Sequence, residues 1–170
     1  MSGNSERELV DVIDDEGRTI GTVSRREMRG RRLPHRCTYI LVFNDRGELF
    51  VHLRTATKDV YPGYWDVTVG GVVGAGETFG AGACRELTEE LGITTEPEAL
   101  FPFRYGDGAT MVHAMVYRVV HGGPFNLQPE EIIRGEFLPM PELEARIQRE
   151  LYCPDGLAAL AEYRKRFGGR

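Results

Sequence analysis

Cysteine is scarce in this chain of 170 residues, with only Cys37, Cys84 and Cys153, widely scattered. An odd number at such spacing argues against a disulfide framework and for a reducing compartment. Lysine is scarcer still: Lys58 and Lys165 are the only two among 21 basic residues. Basic residues as a whole are outnumbered by 26 acidic ones, for a net charge of -5, which disfavours non-specific nucleic-acid binding. No apolar run approaches the roughly 18 residues that a membrane span needs. The start, Met1 to Glu8, lacks the basic-then-apolar layout of a secretory signal. These absences describe a cytoplasmic protein with no membrane association and no stable nucleic-acid complex.

Hydrophobic residues make up 41% of the chain, which with 21 glycines gives an ordinary globular composition and one domain by length. Two short apolar stretches, 9–13 and 19–23, flank Asp14-Asp15-Glu16-Gly17 and predict an N-terminal hairpin. Ser24-Arg25-Arg26-Glu27 has the pattern of a capping box and predicts a short basic helix ending before Pro34. Strands are expected over 37–43, 48–54, 65–69, 99–105, 111–120 and 132–138, and terminal helices over 141–149 and 154–167. The best helix runs from Thr78 to Leu91, with Gly92 where a left-handed cap would stand. Interleaved strands and helices with hairpins imply an α/β (α+β) domain with a mixed sheet. Residues 1–33 form a hairpin and short helix packed on a main domain of residues 34–170.

The chemistry concentrates between Gly71 and Ile93. On a helix Glu86, Glu89 and Glu90 stand at i, i+3 and i+4, within an arc of about 100°. Leu87, Leu91 and Cys84 point elsewhere and are available to a sheet. No basic residue follows at i+4 to relieve the three carboxylates, and adjacent Arg85 is expected to face another neighbour. A hard divalent cation such as Mg²⁺ or Mn²⁺ would relieve them, since it takes oxygen ligands. Glutamate runs are often just solvated helix faces. Here, however, a glycine-rich loop delivers the chain into the helix, and glycines let backbone approach a metal or phosphate closely. Glu77 can reach Arg85 only if that loop folds back over the helix.

Gly71-x5-Glu77-x7-Arg85-Glu86-Leu87-x-Glu89-Glu90-x-Gly92-Ile93 resembles a complete Nudix box over residues 71–93. Tyr61-Pro62-Gly63-x-Trp65 upstream is a further Nudix-like feature. The resemblance implies an αβα sandwich and metal-dependent hydrolysis of a diphosphate bond in a nucleotide. It assigns Glu86, Glu89 and Glu90 as ligands of Mg²⁺ or Mn²⁺, with the Gly70 carbonyl, and Arg85 with Glu77 as the supporting ion pair. The general base varies in such enzymes, so Glu86, Glu89, Glu90 or a later acid (Glu130 or Glu131 in a loop, or Glu136 on the next strand) remains open.

Outside the box, Arg54 and Lys58 lead towards Tyr61-Pro62-Gly63 and are candidates for substrate phosphate. The basic stretch Arg25, Arg26, Arg29, Arg31, Arg32 and Arg36 has no interleaved aromatics and is expected to be a solvated face. Trp65 is expected in the core. The N-terminal hairpin and Leu33-Pro34-His35-Arg36 are also similar to the isopentenyl-diphosphate isomerase branch. That enzyme's cysteine and histidine positions hold Gly70 and Val72 here, and its later acidic pair is His113 and Met115. A catalytically silent nucleotide-binding module is the other alternative, but the box has lost no carboxylate. Asp107 to Met111, where relatives preferring ADP-ribose or dinucleoside polyphosphates carry a proline or a tyrosine, holds neither. By elimination the leading expectation for the substrate is a nucleoside di- or triphosphate or a related derivative, and the resemblance implies a monomer or homodimer.

Overall fold

The computed structural model describes residues 5–168, and strand β3 (His35–Phe43) is its spine. Alternate side chains of a strand point to opposite faces. Cys37, Tyr39, Leu41 and Phe43 accordingly enter one core, and Ile40 and Val42 enter another. The first core also takes Val112, Ala114 and Val116 of β7 (Met111–Val120), Leu143 of α3 (Met140–Ile147), and Ala159 and Leu160 of α4 (Pro154–Phe167). The second takes Ala83 of α2 (Phe79–Glu86) and Leu87 and Leu91 of the turn that extends it. Helices therefore cover both faces of a mixed sheet, the αβα sandwich expected.

β3 runs parallel to β7 from His35↔Val112 to Phe43↔Val120, and β6 (Glu98–Gly106) adds to β7 antiparallel. β4 (Leu49–Arg54) touches β3 only at Phe43↔Leu49, then diverges to pair with β5 (Trp65–Asp66) and β8 (Ile132–Leu138). A cleft opens where β4 diverges from β3. The segment expected as a strand over 65–69 is shorter than predicted. It leaves β4 after Asp66 and crosses to β3, bridging there through Ile40↔Val69 and Cys37↔Val72. That crossing puts Gly70 and Gly71 at the cleft.

The N-terminal hairpin, β1 (Leu9–Ile13) and β2 (Thr19–Ser24), extends the sheet through Val12↔His35. Helix α1 (Arg25–Arg31) starts at Ser24, whose Oγ accepts the Glu27 amide at 3.1 Å. The reciprocal half of the capping box is not made, because the Glu27 carboxylate goes to Arg31 at 2.6 Å. Val10 and Met28 belong to the same buried cluster as the central strands, so the extension shares the main core. No helix among the described residues is long and apolar enough to cross a membrane.

Truncating Met28 to alanine is expected to lower the stability of one cooperative unfolding transition by about 2–5 kcal/mol, the range for deleting a buried side chain. Urea unfolding followed by far-UV dichroism and tryptophan fluorescence checks it. A main transition that stays put would show that residues 1–33 fold separately.

Candidate functional site

The glycine loop does fold back. Thr78 Oγ1 caps α2 by accepting the Ala81 amide at 3.1 Å, and the preceding residue, Glu77, turns over the helix to meet Arg85. Arg85 Nε lies 2.9 Å from Glu77 Oε2 and Nη2 lies 3.0 Å from Oε1, a bidentate pair. Nη2 also donates to the Val72 carbonyl at 3.2 Å. Two glycines make room: a Cβ on Gly82 would sit 2.8 Å from Glu77 Oε1, and one on Gly71 would sit 3.0 Å from Glu86 Oε1.

Arg85 does more than the spacing suggested. Besides Glu77 it reaches Glu86 Oε1 at 3.0 Å and Glu89 Oε2 at 3.2 Å through Nη1. Arg85 thus faces the other neighbour expected, Glu77, and in addition relieves the cluster itself; a long guanidinium at i covers both i+1 and i+4. The helix is also not uniform. Its last turn, Leu87–Leu91, is a π turn ending at Gly92 (φ 67). A π turn holds more residues than an α turn, so Glu90 returns nearly in line with Glu86 while Glu89 falls short of the full circle. Glu86 and Glu90 are buried, whereas the Glu89 side chain is 49% exposed.

Burial, then the neighbouring Glu86, pushes the Glu90 carboxyl up to about 8. Burial also raises Glu86, against the opposing pull of Arg85. Glu77 is held below the ordinary range by its hydrogen bonds from Arg85. No ion pair joins Glu90 to another described residue, although Lys58 and Arg54 contribute to its field. Among the described residues no three His, Cys, Asp or Glu side chains already converge as a metal cage. Glu86 and Glu89 are instead engaged by Arg85.

The cleft beside Gly70 and Gly71 has a cavity of about 60 Å³. Arg54 and Lys58 line it, but each has a partner: Arg54 meets Asp66 at 3.5 Å and the Val60 carbonyl at 2.8 Å, and Lys58 pairs with Glu131. Among the three later acids, Glu131 is thus linked to the cleft. Glu136 pairs with Arg146, whose guanidinium lies 4.4 Å over the ring of buried Trp65, away from the cleft. Glu130 is exposed and offers its backbone carbonyl to Thr55. The floor carries Tyr39, whose hydroxyl donates to Asp155 at 2.9 Å, and Asp66, which burial raises to about 6.

The basic stretch is a solvated face only in part: Arg26, Arg31 and Arg32 are exposed, whereas Arg25, Arg29 and Arg36 are not. Arg25 and Arg29 lie on the cleft side of α1, each 20% exposed, and both meet Asp59. Arg36 pairs with Asp11 at 3.2 Å and lies over the ring of Phe79. A hint was present in the i, i+4 spacing of Arg25 and Arg29, but their partner comes 30 residues later.

Cleft geometry also disfavours the isomerase pattern. Gly70 has φ +132, and a Cβ there would fall 2.3 Å from the Thr38 carbonyl oxygen, so the backbone leaves no room for a side chain at that position. Cys37 lines the cleft, but burial pushes its thiol up to about 12, away from nucleophilic use. His35 is buried with Nδ1 2.9 Å from the Leu33 carbonyl, and burial lowers it to about 4.

A family model described as the NUDIX domain matches residues 33–154. An uncharacterized Nudix hydrolase of Streptomyces coelicolor is 43% identical over 95% of this chain and 91% of its own length. Another from Pseudomonas aeruginosa is also 43% identical, over 94% and 95%. The crystal structure of DR0079 from Deinococcus radiodurans superposes with a TM-score of 0.73 at 26% identity, covering 94% of this chain and 98% of that one. The NUDIX domain of Shewanella oneidensis NrtR, solved with ADP ribose, has a TM-score of 0.62 at 14% identity, covering 85% and 99%, and shows likeness of fold alone.

Because the folded Glu90 carboxyl binds its proton more tightly than the unfolded one, the chelator-treated protein should lose stability as pH rises from about 4.5 to about 8. Glu90→Gln is expected to flatten that slope and to unfold at higher urea than the parent at pH 8. Urea midpoints at pH 5 and pH 8 in EDTA check it; a parent more stable at pH 8 than the variant would overturn the assignment of strain to Glu90.

Proposed function

The chain belongs to the Nudix hydrolase family, and from that premise we propose that it is a divalent-metal-dependent pyrophosphohydrolase of nucleoside di- or triphosphates or related nucleoside-diphosphate derivatives. The carrying observation is the juxtaposition of Glu86 and Glu90, buried and aligned by the π turn, with a cleft whose lining includes Arg25, Arg29, Arg54 and Lys58. One side suits a cation and the other an anion, the two components of a metal–phosphate complex.

The donor set fits a hard ion. Glu86, Glu89, Glu90 and the Gly70 carbonyl are all oxygen donors, the absent Cβ of Gly71 leaves space beside Glu86, and the thiol of Cys37 is held protonated. Mg²⁺ or Mn²⁺ bound there would neutralise phosphate oxygens and make a water more acidic.

The protein's own residues supply the rest. Hydrolysis adds water across the P–O–P link: the water oxygen bonds to one phosphorus, the bridging P–O bond breaks, and a proton must leave the water. A carboxylate within the box, Glu86, Glu89 or Glu90, takes that proton, or Glu131 does so from the Lys58 side; general-base help is worth roughly 10²–10⁴-fold. Arg54 and Lys58 position the phosphates by charge. Arg85 holds Glu86 and Glu89 in place from behind, with Glu77 keeping its guanidinium oriented.

The test is release of phosphate and pyrophosphate from a panel of nucleoside di- and triphosphates, ADP-ribose, UDP-glucose and dinucleoside polyphosphates with Mg²⁺ or Mn²⁺. EDTA should stop it. Glu89→Gln and Glu90→Gln are each expected to lower kcat by about 10²-fold or more with unchanged dichroism. Near-parental rates in both would overturn the metal site, and nucleotide binding without turnover would identify a silent module.

A further inference from the structure

Resting on this hydrolase reading and deepening it, we propose that Arg25 and Arg29 of the N-terminal helix form the subsite for the free terminal phosphate of the substrate, and that Asp59 is a resident carboxylate which this phosphate displaces. The two arginines stand one helical turn apart and converge on a single atom, Asp59 Oδ2, at 3.2 Å and 3.0 Å. A guanidinium offers five N–H donors in a fixed fork, so one shared oxygen uses little of what the pair can give. Arg29 turns a further N–H to Thr110 Oγ1 at a long 3.4 Å, and Arg25 lies 3.7 Å from Glu8 Oε2. A phosphate, with more charge and three oxygens, matches two forks better than one carboxylate oxygen does.

The way each side is anchored favours the same exchange. Helix α1 is pinned by Met28, which is 1% exposed. No residue from 55 to 64, the loop carrying Asp59, is buried. That loop is held at its inner end by polar contacts, Lys58 to Glu131, Asp59 to the arginines and Tyr61 to Asp107. The loop and the helix line the same cleft, whose cavity is about 60 Å³. An exchange of Asp59 for phosphate therefore breaks polar contacts of the loop and leaves the buried anchor of the arginine helix intact.

The position also fits the chemistry. Glu86 contributes to the field at Arg25, which places the arginine pair within electrostatic reach of the box carboxylates. Burial works against the charge of Asp59, but Arg29 and Arg25 outweigh it and hold the carboxyl below its usual range. Asp59 is therefore an anion in the resting cleft, the charge type that a substrate phosphate brings. Substrates ending in a free phosphate, nucleoside di- and triphosphates, satisfy this subsite; those capped on both sides, such as ADP-ribose or UDP-glucose, do not.

Two measurements test the inference. Inorganic pyrophosphate is titrated calorimetrically into the full chain in EDTA, and KM is measured with a nucleoside triphosphate and with ADP-ribose. Asp59→Asn, on an exposed loop and equal in size, is expected to tighten pyrophosphate roughly 5-fold, because the competing charge is gone. Arg29→Met should weaken pyrophosphate about 10-fold or more and raise KM for the triphosphate but not for ADP-ribose. Weaker pyrophosphate binding in Asp59→Asn would overturn the proposal, since the carboxylate would then be holding the arginines in place. Unchanged affinity in both variants, or an equal KM rise on ADP-ribose, would also overturn it. Binding needs no turnover, so shifted affinity in a protein that hydrolyses nothing would sink the hydrolase reading alone. Turnover with unshifted affinity would sink only the subsite.

Discussion

Every N–H of one guanidinium is used in organising this site. Arg85 donates from Nε to Glu77, from Nη2 to Glu77 and the Val72 carbonyl, and from Nη1 to Glu86 and Glu89. The contacts join three parts that are separate in the chain: the end of the β3-bridging segment, the glycine loop and the acidic end of the helix. Lysine could supply the charge but not the planar fork that spans them. Gly71 and Gly82 are small because the carboxylates that Arg85 gathers lie where their side chains would be. Loop path, helix entry and carboxylate placement are thus one constraint.

The π turn resolves a tension that a regular helix would leave. Three glutamates within a 100° arc would all face the same medium, buried or solvated together. Widening the last turn separates them, with Glu86 and Glu90 inward and Glu89 outward against Arg85. Leu87 and Leu91 remain fully buried in the second core, so the same turn anchors the helix while presenting the acids. Gly92, in a left-handed conformation with no space for a Cβ beside Asn126, closes it.

What was legible in the chain was local. The strands over 111–120 and 132–138, the helix over 154–167 and the glycine stop at Gly92 depend on apolar periodicity and turn chemistry within a few residues. The box motif is likewise a local spacing, and the return of Glu77 onto Arg85 followed from it. The rest depends on contacts distant in sequence. Arg25 and Asp59 are 34 residues apart, so nothing in the basic stretch alone shows that two of its members leave solvent. The strand expected over 65–69 is shorter because its apolar alternation is satisfied by two different strands in succession, first β4 and then β3. The π turn has no local signature, since Leu87–Leu91 reads as ordinary helix by propensity.

Charge in the cleft is arranged so that each half restrains the other. Buried carboxylates carry a cost that rises as they ionise, and Glu90 meets it here by holding its proton above the ordinary carboxylate range. Across the cleft, Asp59, Asp66 and Glu131 answer Arg25, Arg29, Arg54 and Lys58. An anion held by Arg25 and Arg29 has Glu86 and Glu90 opposite it, and a cation held by those carboxylates would have the guanidinium groups opposite. A ligand that brings both charges at once relieves both walls, and does so only when its anionic and cationic parts lie in the order the walls impose. On the reading proposed, orientation would be selected before any contact with a base or sugar, by the placement of α1 on one side of the cleft and the π turn on the other.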